Sequence, residues 1–434
     1  MSANTDKLKI MIRKVLKISL LFWLMAVVAW AQERSDSTVV QMARAEGLSF
    51  SHDNSVVLLP TGVEKFTDLF QAVRQARHSI HLEYFNFRND SISNELFSLL
   101  IERARAGVKV RIIFDGFGNS SNNRPLRKRH LEAFREAGLE IYEFDPIRFP
   151  WINHVFNRDH RKIVVIDGVL GYTGGMNVAD YYITGKPEFG EWRDMHCRVE
   201  GTAAWDLQDV FLRMWNRLSD QHLSGPEFYQ GTYFLDSLFT GLKPDTTATR
   251  GRKMIATVNR EPHTSPKIIR RMFMHAIDAA QDSIRIVTPY FTMYRSVKRA
   301  LKRALRRGVK VQVMVSEKVD VPVVPRVIEQ NARILTARGA QIFYYQGGFH
   351  HSKVMTVDGR FTYMGSANLD RRSGFCDNEC NLLIIDPHVT AQLDERFNND
   401  VRQHCYLFTH ERYKQLPAGL RLQGHLFKLL TPFL

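Results

Sequence analysis

Two stretches of the chain carry the same residues at the same offsets. His160-Arg161-Lys162-Ile163-Val164-Val165-Ile166-Asp167 is closed by Gly174-Gly175-Met176-Asn177, and 191 residues later His351-Ser352-Lys353-Val354-Met355-Thr356-Val357-Asp358 is closed by Gly365-Ser366-Ala367-Asn368. One such pattern constrains little. Two copies with the same follow-on G-x-x-N point to a chain built twice, and the repetition extends beyond the motifs. Ala76-Arg77-His78-Ser79-Ile80 is matched by Ala280-Gln281-Asp282-Ser283-Ile284, and Gly107-Val108-Lys109-Val110 by Gly308-Val309-Lys310-Val311. At 434 residues and 44% hydrophobic, the chain can bury a core in each copy. The expected domains are 55–250 and 251–434. The polar, turn-rich stretch 241–266 reads as the linker, with the boundary near 250.

Within the first copy, hydrophobic periodicity predicts a strand over 79–85, a helix over 94–106, a strand over 108–114, a helix over 126–137 and a short strand over 139–142. Such alternation predicts an α/β fold: a largely parallel sheet with helices on both faces.

The residue types in the motifs suit attack on a phosphodiester. A neutral imidazole can attack phosphorus and hold the phosphoryl group, while a second imidazole protonates the leaving oxygen; one histidine cannot do both at once. That makes His160 and His351 candidates for the two tasks. Lys162 and Lys353 would supply fixed positive charge, and Asn177 and Asn368 amide donors, where negative charge gathers in the transition state. No metal or other cofactor is then required. Asp167 and Asp358 lie an odd number of residues past the lysines, point away from them along a strand, and read as structural anchors at the strand ends. Each histidine also needs an acceptor for its remote ring nitrogen. Asp194 and Glu379 follow their respective histidines by 34 and 28 residues and are the candidates.

Composition narrows the partners. Sixty lysines and arginines against 45 acids give a formal net charge of +15, which favours anionic partners. The four cysteines, Cys197, Cys376, Cys380 and Cys405, are too few for a disulfide framework, and Cys376-x-x-x-Cys380 lacks a second pair for zinc; packed thiols are expected. At the amino end, Lys7, Lys9, Arg13, Lys14 and Lys17 precede the 13-residue apolar run 18–30, and Ala29-Trp30-Ala31 offers small residues for cleavage. That run falls short of the ~20 residues that span a bilayer. Residues 1–31 therefore read as a signal peptide, or else a single anchor, with the remainder on the exported side.

Both motifs resemble the HKD signature of the phospholipase D superfamily, and within it the chain is most similar to bacterial cardiolipin synthases. The likeness covers essentially everything after the amino-terminal segment. It is carried by Asn157-Arg158-Asp159-His160-Arg161-Lys162, Gly174-Gly175-Met176-Asn177, Trp192-Arg193-Asp194 with Arg198-Val199-Glu200-Gly201, Pro289-Tyr290-Phe291, Gly365-Ser366-Ala367-Asn368-Leu369-Asp370 with Arg372-Ser373, and the closing Leu429-Leu430-Thr431-Pro432-Phe433-Leu434. The resemblance implies two tandem phospholipase D-like α/β/α sandwich domains with pseudo-twofold symmetry and one shared active site. It also implies a ping-pong transfer through a phosphohistidine, in which two phosphatidylglycerol molecules give cardiolipin and glycerol. By analogy with the superfamily, His160 is the nucleophile and His351 the general acid and base. The chain departs from the family after Arg372-Ser373, where Gly374, Cys376 and Asp377 replace the usual phenylalanine and Leu-Asn, and in carrying at most one amino-terminal membrane segment where two are common.

Three further stretches bear on membrane contact. Residues 295–307 predict a helix with Arg295, Lys298, Arg299, Lys302, Arg303, Arg306 and Arg307 opposite an apolar stripe, a face that is most simply solvated but would also hold anionic lipid. Phe149-Pro150-Trp151-Ile152 reads as core, and Leu426-Phe427-Lys428-Leu429-Leu430 equally as core or interface. The expected partners are an anionic phospholipid and the membrane surface; no protein partner follows from the sequence. Nuclease activity would use the same residues, and the export signal and apolar carboxyl end argue against nucleic acid. Hydrolytic phospholipase D is the nearest alternative, because water competes with an alcohol for the same phosphohistidine.

Overall fold

Each motif ends in Asp-Gly, and that dipeptide decides the local topology. In the computed structural model, which describes residues 15–19, 35–150, 156–229 and 239–427, Asp167 and Gly168 have φ of 53° and 65°, and Asp358 and Gly359 repeat those values. Two successive left-handed residues form the tip of a tight hairpin. Each motif strand therefore turns straight back on itself.

In chain order the strands are β1 (Ser51–Leu59), β2 (Ser79–Tyr84), β3 (Lys109–Asp115), β4 (Glu140–Phe144), β5 (Lys162–Ile166), β6 (Leu170–Gly174), β7 (Glu191–Arg193) and β8 (His196–Glu200). They continue as β9 (Lys253–Arg260), β10 (Ser283–Val287), β11 (Lys310–Ser316), β12 (Gln341–Tyr345), β13 (Gly348–His350), β14 (Val354–Val357), β15 (Phe361–Gly365), β16 (Glu379–Ile385) and β17 (Cys405–Leu407). Fifteen of these form one sheet, ordered β17-β12-β11-β10-β14-β15-β16-β9-β1-β8-β6-β5-β2-β3-β4. Leaving out β17, the order is the same from either end. The duplication is thus two like units, each giving seven strands, joined edge to edge by the antiparallel pair β1–β9.

The fold is α/β, but the sheet is not largely parallel. Only β2-β3-β4 and β10-β11-β12 run parallel; the remaining neighbours are antiparallel. Parallel pairing occurs where a helix crosses over, as Ser91–Arg105 does between β2 and β3. Antiparallel pairing follows from the Asp-Gly hairpins. That crossover helix starts three residues before its expected position because the Asp90 carboxylate accepts from the Ser93 amide and caps it.

Helices cover both faces. Leu96, Phe97 and Leu100 of the crossover helix pack with Leu82, Ile112 and Val164 in one core, and its counterpart surrounds Ile284, Val313 and Phe361. On the opposite face, Ala203, Leu207 and Val210 of the helix Thr202–Leu218 share a layer with Ile163 and Val165 from one unit and Ile255, Leu382 and Ile384 from the other. That common layer joins the units into one body.

The stretch read as a linker is not loose chain. It contains β9, and its Asp245 carboxylate accepts from the Val56 amide (3.1 Å) and pairs with Lys253 Nζ (2.6 Å), both buried. The polarity that suggested a linker is satisfied inside the seam. The helix Arg295–Arg306 buries Val297, Ala300, Leu301 and Ala304 and leaves Arg299 and Arg306 exposed. Phe149 is 91% exposed rather than core; Trp151 and Ile152 lie outside the described residues. So do most of the expected signal segment and residues 428–434. Among the described residues no helix is long and apolar enough to cross a membrane. All four cysteines are free.

The two motif aspartates tie their hairpins to the start of β2 and β10. Asp167 accepts from the amides of Arg77 (2.7 Å), His78 (2.7 Å) and Ser79 (2.8 Å). Asp358 accepts from Gln281 (2.9 Å), Asp282 (2.8 Å) and Ser283 (2.7 Å). Removing a buried acceptor shared by three amides costs roughly 3 kcal/mol or more. Asp167→Ala is expected to lower stability by that amount in urea unfolding; a loss below about 0.5 kcal/mol would count against the anchor.

Candidate active site

His160 lies just ahead of β5, and its backbone amide pairs with the other unit rather than its own. Its amide donates to the Asn378 carbonyl (3.0 Å), and the Asn378 amide donates to the Arg158 carbonyl (2.7 Å), so the lead into His160 forms a parallel bridge with the lead into Glu379. The other unit does the same. β13, which runs into His351, pairs in parallel with β7, which runs into Asp194, and the His351 amide donates to the Arg193 carbonyl (2.6 Å).

The side chains follow the backbone. His160 Nδ1 lies 3.0 Å from Glu379 Oε1, and His351 Nδ1 lies 2.8 Å from Asp194 Oδ2. Sequence spacing assigns each carboxylate to the histidine of its own unit; the structure pairs them crosswise. Spacing along one chain cannot reveal which copy a side chain faces. With the carboxylates ionised, each Nδ1 carries its proton and each Nε2 keeps a lone pair.

The G-x-x-N turns adjust to these carboxylates. A Cβ on Gly175 would lie 2.2 Å from Asp194 Oδ1, so only glycine admits that aspartate. The second copy has Ser366 there, and its hydroxyl donates to Glu379 Oε2 (2.5 Å). Asn177 and Asn368 follow these turns, and each has a side-chain Oδ1 without a hydrogen-bond partner although buried. Lys162 Nζ donates to the His160 carbonyl (2.6 Å) and lies over the Phe85 ring (5.3 Å). Lys353 Nζ lies 2.5 Å from the His351 carbonyl, 2.7 Å from its Nδ1 and 3.7 Å from Asp194 Oδ2.

Both imidazoles, both asparagines and Phe85 line one cleft of about 370 Å³, whose walls include Asn86, Arg88, Lys186, Trp192, Tyr290 and Asp320. Burial, with Lys162 and Lys353 nearby, holds His160 well below its ordinary pKa. Burial and Lys353 lower His351 as well, outweighing Asp194. Burial also lowers both lysines. Glu379 is raised by burial, whereas in Asp194 the same burial is overcome by Lys353 and the His351 hydrogen bond, which hold it below the usual range. Asp167 and Asp358 are spent on their hairpins.

Sequence reasoning missed Lys65. It is fully buried, with Nζ donating to the carbonyls of Met176 (3.1 Å) and Asn177 (2.9 Å), and it fixes the turn that presents Asn177. A lysine within the apolar stripe Phe66, Leu69, Phe70 and Val73 was the available signal. Also missed was Arg158, held by Asp115 (3.0 Å) and Asp145 (2.7 Å), which braces the backbone bridge.

The sequence matches the family described as "Cardiolipin synthase, PLD-like domain" over residues 69–215 and 273–401. It is 34% identical over 386 residues to the major cardiolipin synthase ClsA of Bacillus subtilis strain 168, covering 89% of this chain and 76% of that protein. To a cardiolipin synthase of Geobacillus sp. strain WCH70 it is 32% identical over 378 residues, 87% of this chain and 72% of the relative. The fold is similar to that of phosphatidylserine synthase from Haemophilus influenzae Rd KW20, with a TM-score of 0.67 at 16% identity, covering 91% of this chain and all of that one.

The crosswise pairing has a spectroscopic consequence. Asp194→Asn is expected to shift the Nδ1 proton resonance of His351 and leave that of His160 in place, with Glu379→Gln doing the reverse; the opposite assignment would contradict the geometry. Because both imidazoles have lowered pKa values, each loses its proton at a lower pH than a free histidine does. A histidine NMR titration should find both midpoints below that of a free histidine; a midpoint at or above it would overturn the burial argument.

Proposed function

Because this chain belongs to the cardiolipin synthase, phospholipase D-like domain family, we propose that its cleft transfers a phosphatidyl group from one phosphatidylglycerol to another, giving cardiolipin and glycerol. The observation that carries the reading is the pair of imidazoles, each oriented by a carboxylate of the other unit, at one cleft.

In the first half-reaction His160 Nε2 attacks phosphorus. A P–N bond forms, the P–O bond to glycerol breaks, and His351, protonated when substrate binds, gives its Nε2 proton to the departing oxygen. In the second, the hydroxyl of the acceptor lipid gives its proton to His351 and attacks phosphorus, and the P–N bond breaks. Lys162, Lys353, Asn177 and Asn368 meet the charge on the non-bridging oxygens. Bringing an anionic phosphate beside His351 favours its protonated form, which offsets the effect of burial. Glu379 and Asp194 orient the rings.

A cleft of about 370 Å³ accommodates a headgroup but not two acyl chains as well. The chains therefore remain in a lipid layer, and the enzyme works at a membrane surface. Residues 1–31 serve as signal peptide or anchor and put the catalytic units on the exported side.

Purified protein incubated with phosphatidylglycerol vesicles is expected to form cardiolipin and glycerol in equal amounts, at a rate unchanged by EDTA, since lysines supply the positive charge. Phosphatidic acid as the main product would replace transfer with hydrolysis. DNA cleavage without lipid turnover would sink the lipid reading.

A further inference from the structure

In that reading the transferring phosphate is met by Lys162 and Lys353, which are buried against the carbonyls of His160 and His351. An acceptor phosphatidylglycerol brings a second phosphodiester anion, one glyceryl spacer away from the hydroxyl that attacks. Its charge must be met at the wall of the same cleft, and the lining there supplies two more cations, Arg88 and Lys186. Arg88 is already engaged, its Nε and Nη2 on Asn123 Oδ1 (3.1 Å each) and its Nη1 on Asp90 (3.3 Å).

Lys186 is different. Its Nζ lies over the rings of Trp192 (4.3 Å) and Tyr181 (4.5 Å), and among the described residues no carboxylate pairs with it at salt-bridge distance. Asp320 on the same wall accepts from the Tyr290 hydroxyl (2.7 Å), and it and Glu188 act on Lys186 only from beyond salt-bridge distance. The backbone of the lysine is also anchored. Its amide donates to the Gly190 carbonyl (2.9 Å) and its carbonyl accepts from the Gly190 amide (2.7 Å), closing a tight loop. Trp192, the platform under the ammonium, packs against Phe349 (4.6 Å between centroids), Phe189 (5.7 Å) and the catalytic His351 ring (5.8 Å). An ammonium seated on an aromatic platform that touches the His351 imidazole, above an anchored backbone, is placed to receive an anion. Half-burial lowers its pKa in the empty cleft, a cost that a bound anion would offset.

We propose that Lys186 holds the phosphate of the acceptor lipid, with Arg88 beside it, and so selects a phosphate-bearing alcohol over water and neutral alcohols when the phosphohistidine is resolved. The inference rests on the phosphatidyl-transfer reading above. In the step it governs, the acceptor oxygen forms the new P–O bond, the P–N bond breaks and the hydroxyl proton passes to His351; Lys186 supplies charge and position only.

The test is a competition. Full-length protein acts on phosphatidylglycerol vesicles containing ethanol, and cardiolipin, phosphatidylethanol and phosphatidic acid are quantified. Lys186→Met keeps an apolar stem on the aromatic platform and removes the charge. It is expected to lower the cardiolipin-to-phosphatidylethanol ratio at least tenfold, Lys186→Glu further still, while Lys186→Arg keeps the ratio within about twofold of wild type. A ratio unchanged in Lys186→Met and Lys186→Glu, whatever happens to total turnover, overturns the subsite. A wild type that forms phosphatidic acid but no cardiolipin removes the function reading itself, and the subsite with it.

Discussion

Two short parallel backbone bridges, Asp159 with Asn378 and β13 with β7, are what the chemistry of this protein depends on. Each draws a histidine out of its own unit and sets it against the carboxylate of the other. Neither unit alone contains an imidazole with its orienting acid. The joined sheet and the common apolar layer beneath β1, β5, β9 and β16 hold the units in one register, and in that register the bridges form. The Asp-Gly hairpins contribute at one remove, because they fix β5 and β14, which start at Lys162 and just after Lys353.

Electrostatics explains why such a site stays poised for an anion. Two lysines, two imidazoles and two carboxylates are packed largely out of water, and desolvation opposes the charged form of each. A buried ion pair seldom repays its desolvation cost in full. In the proposed reaction a phosphodiester adds negative charge where the lysines lack enough of it, so binding and stabilisation of the transition state would draw on the same imbalance. The asymmetry between Gly175 beside Asp194 and Ser366 beside Glu379 gives the two imidazoles different surroundings. Two copies of one motif can therefore take different roles.

Much of this was legible in the chain itself. Offsets that recur 191 residues apart announced the duplication and the histidines and asparagines that come to line one cleft, and strand parity gave the structural use of Asp167 and Asp358. Three things were not legible, for physical reasons. The sheet direction turned on Asp167-Gly168 and Asp358-Gly359, whose hairpin chemistry was hidden by the alternation of strands and helices around them. The crosswise carboxylate pairing is a tertiary fact, and two nearly equal spacings in sequence fit either assignment. Polar residues such as Lys65, Asp245 and Lys253 sit buried because backbone carbonyls or each other satisfy them, and periodicity treats any polar residue as a surface residue.

If the two units build one site, a single chain can hold only one phosphatidyl group at a time. Rapid quenching of the protein with excess phosphatidylglycerol, followed by intact-mass measurement, would count the adducts directly. The account predicts at most one phosphatidyl adduct per chain, on one histidine, with no adduct on a chain lacking that histidine. Two adducts on one chain, or an adduct of equal yield on His160→Ala and His351→Ala proteins, would contradict it.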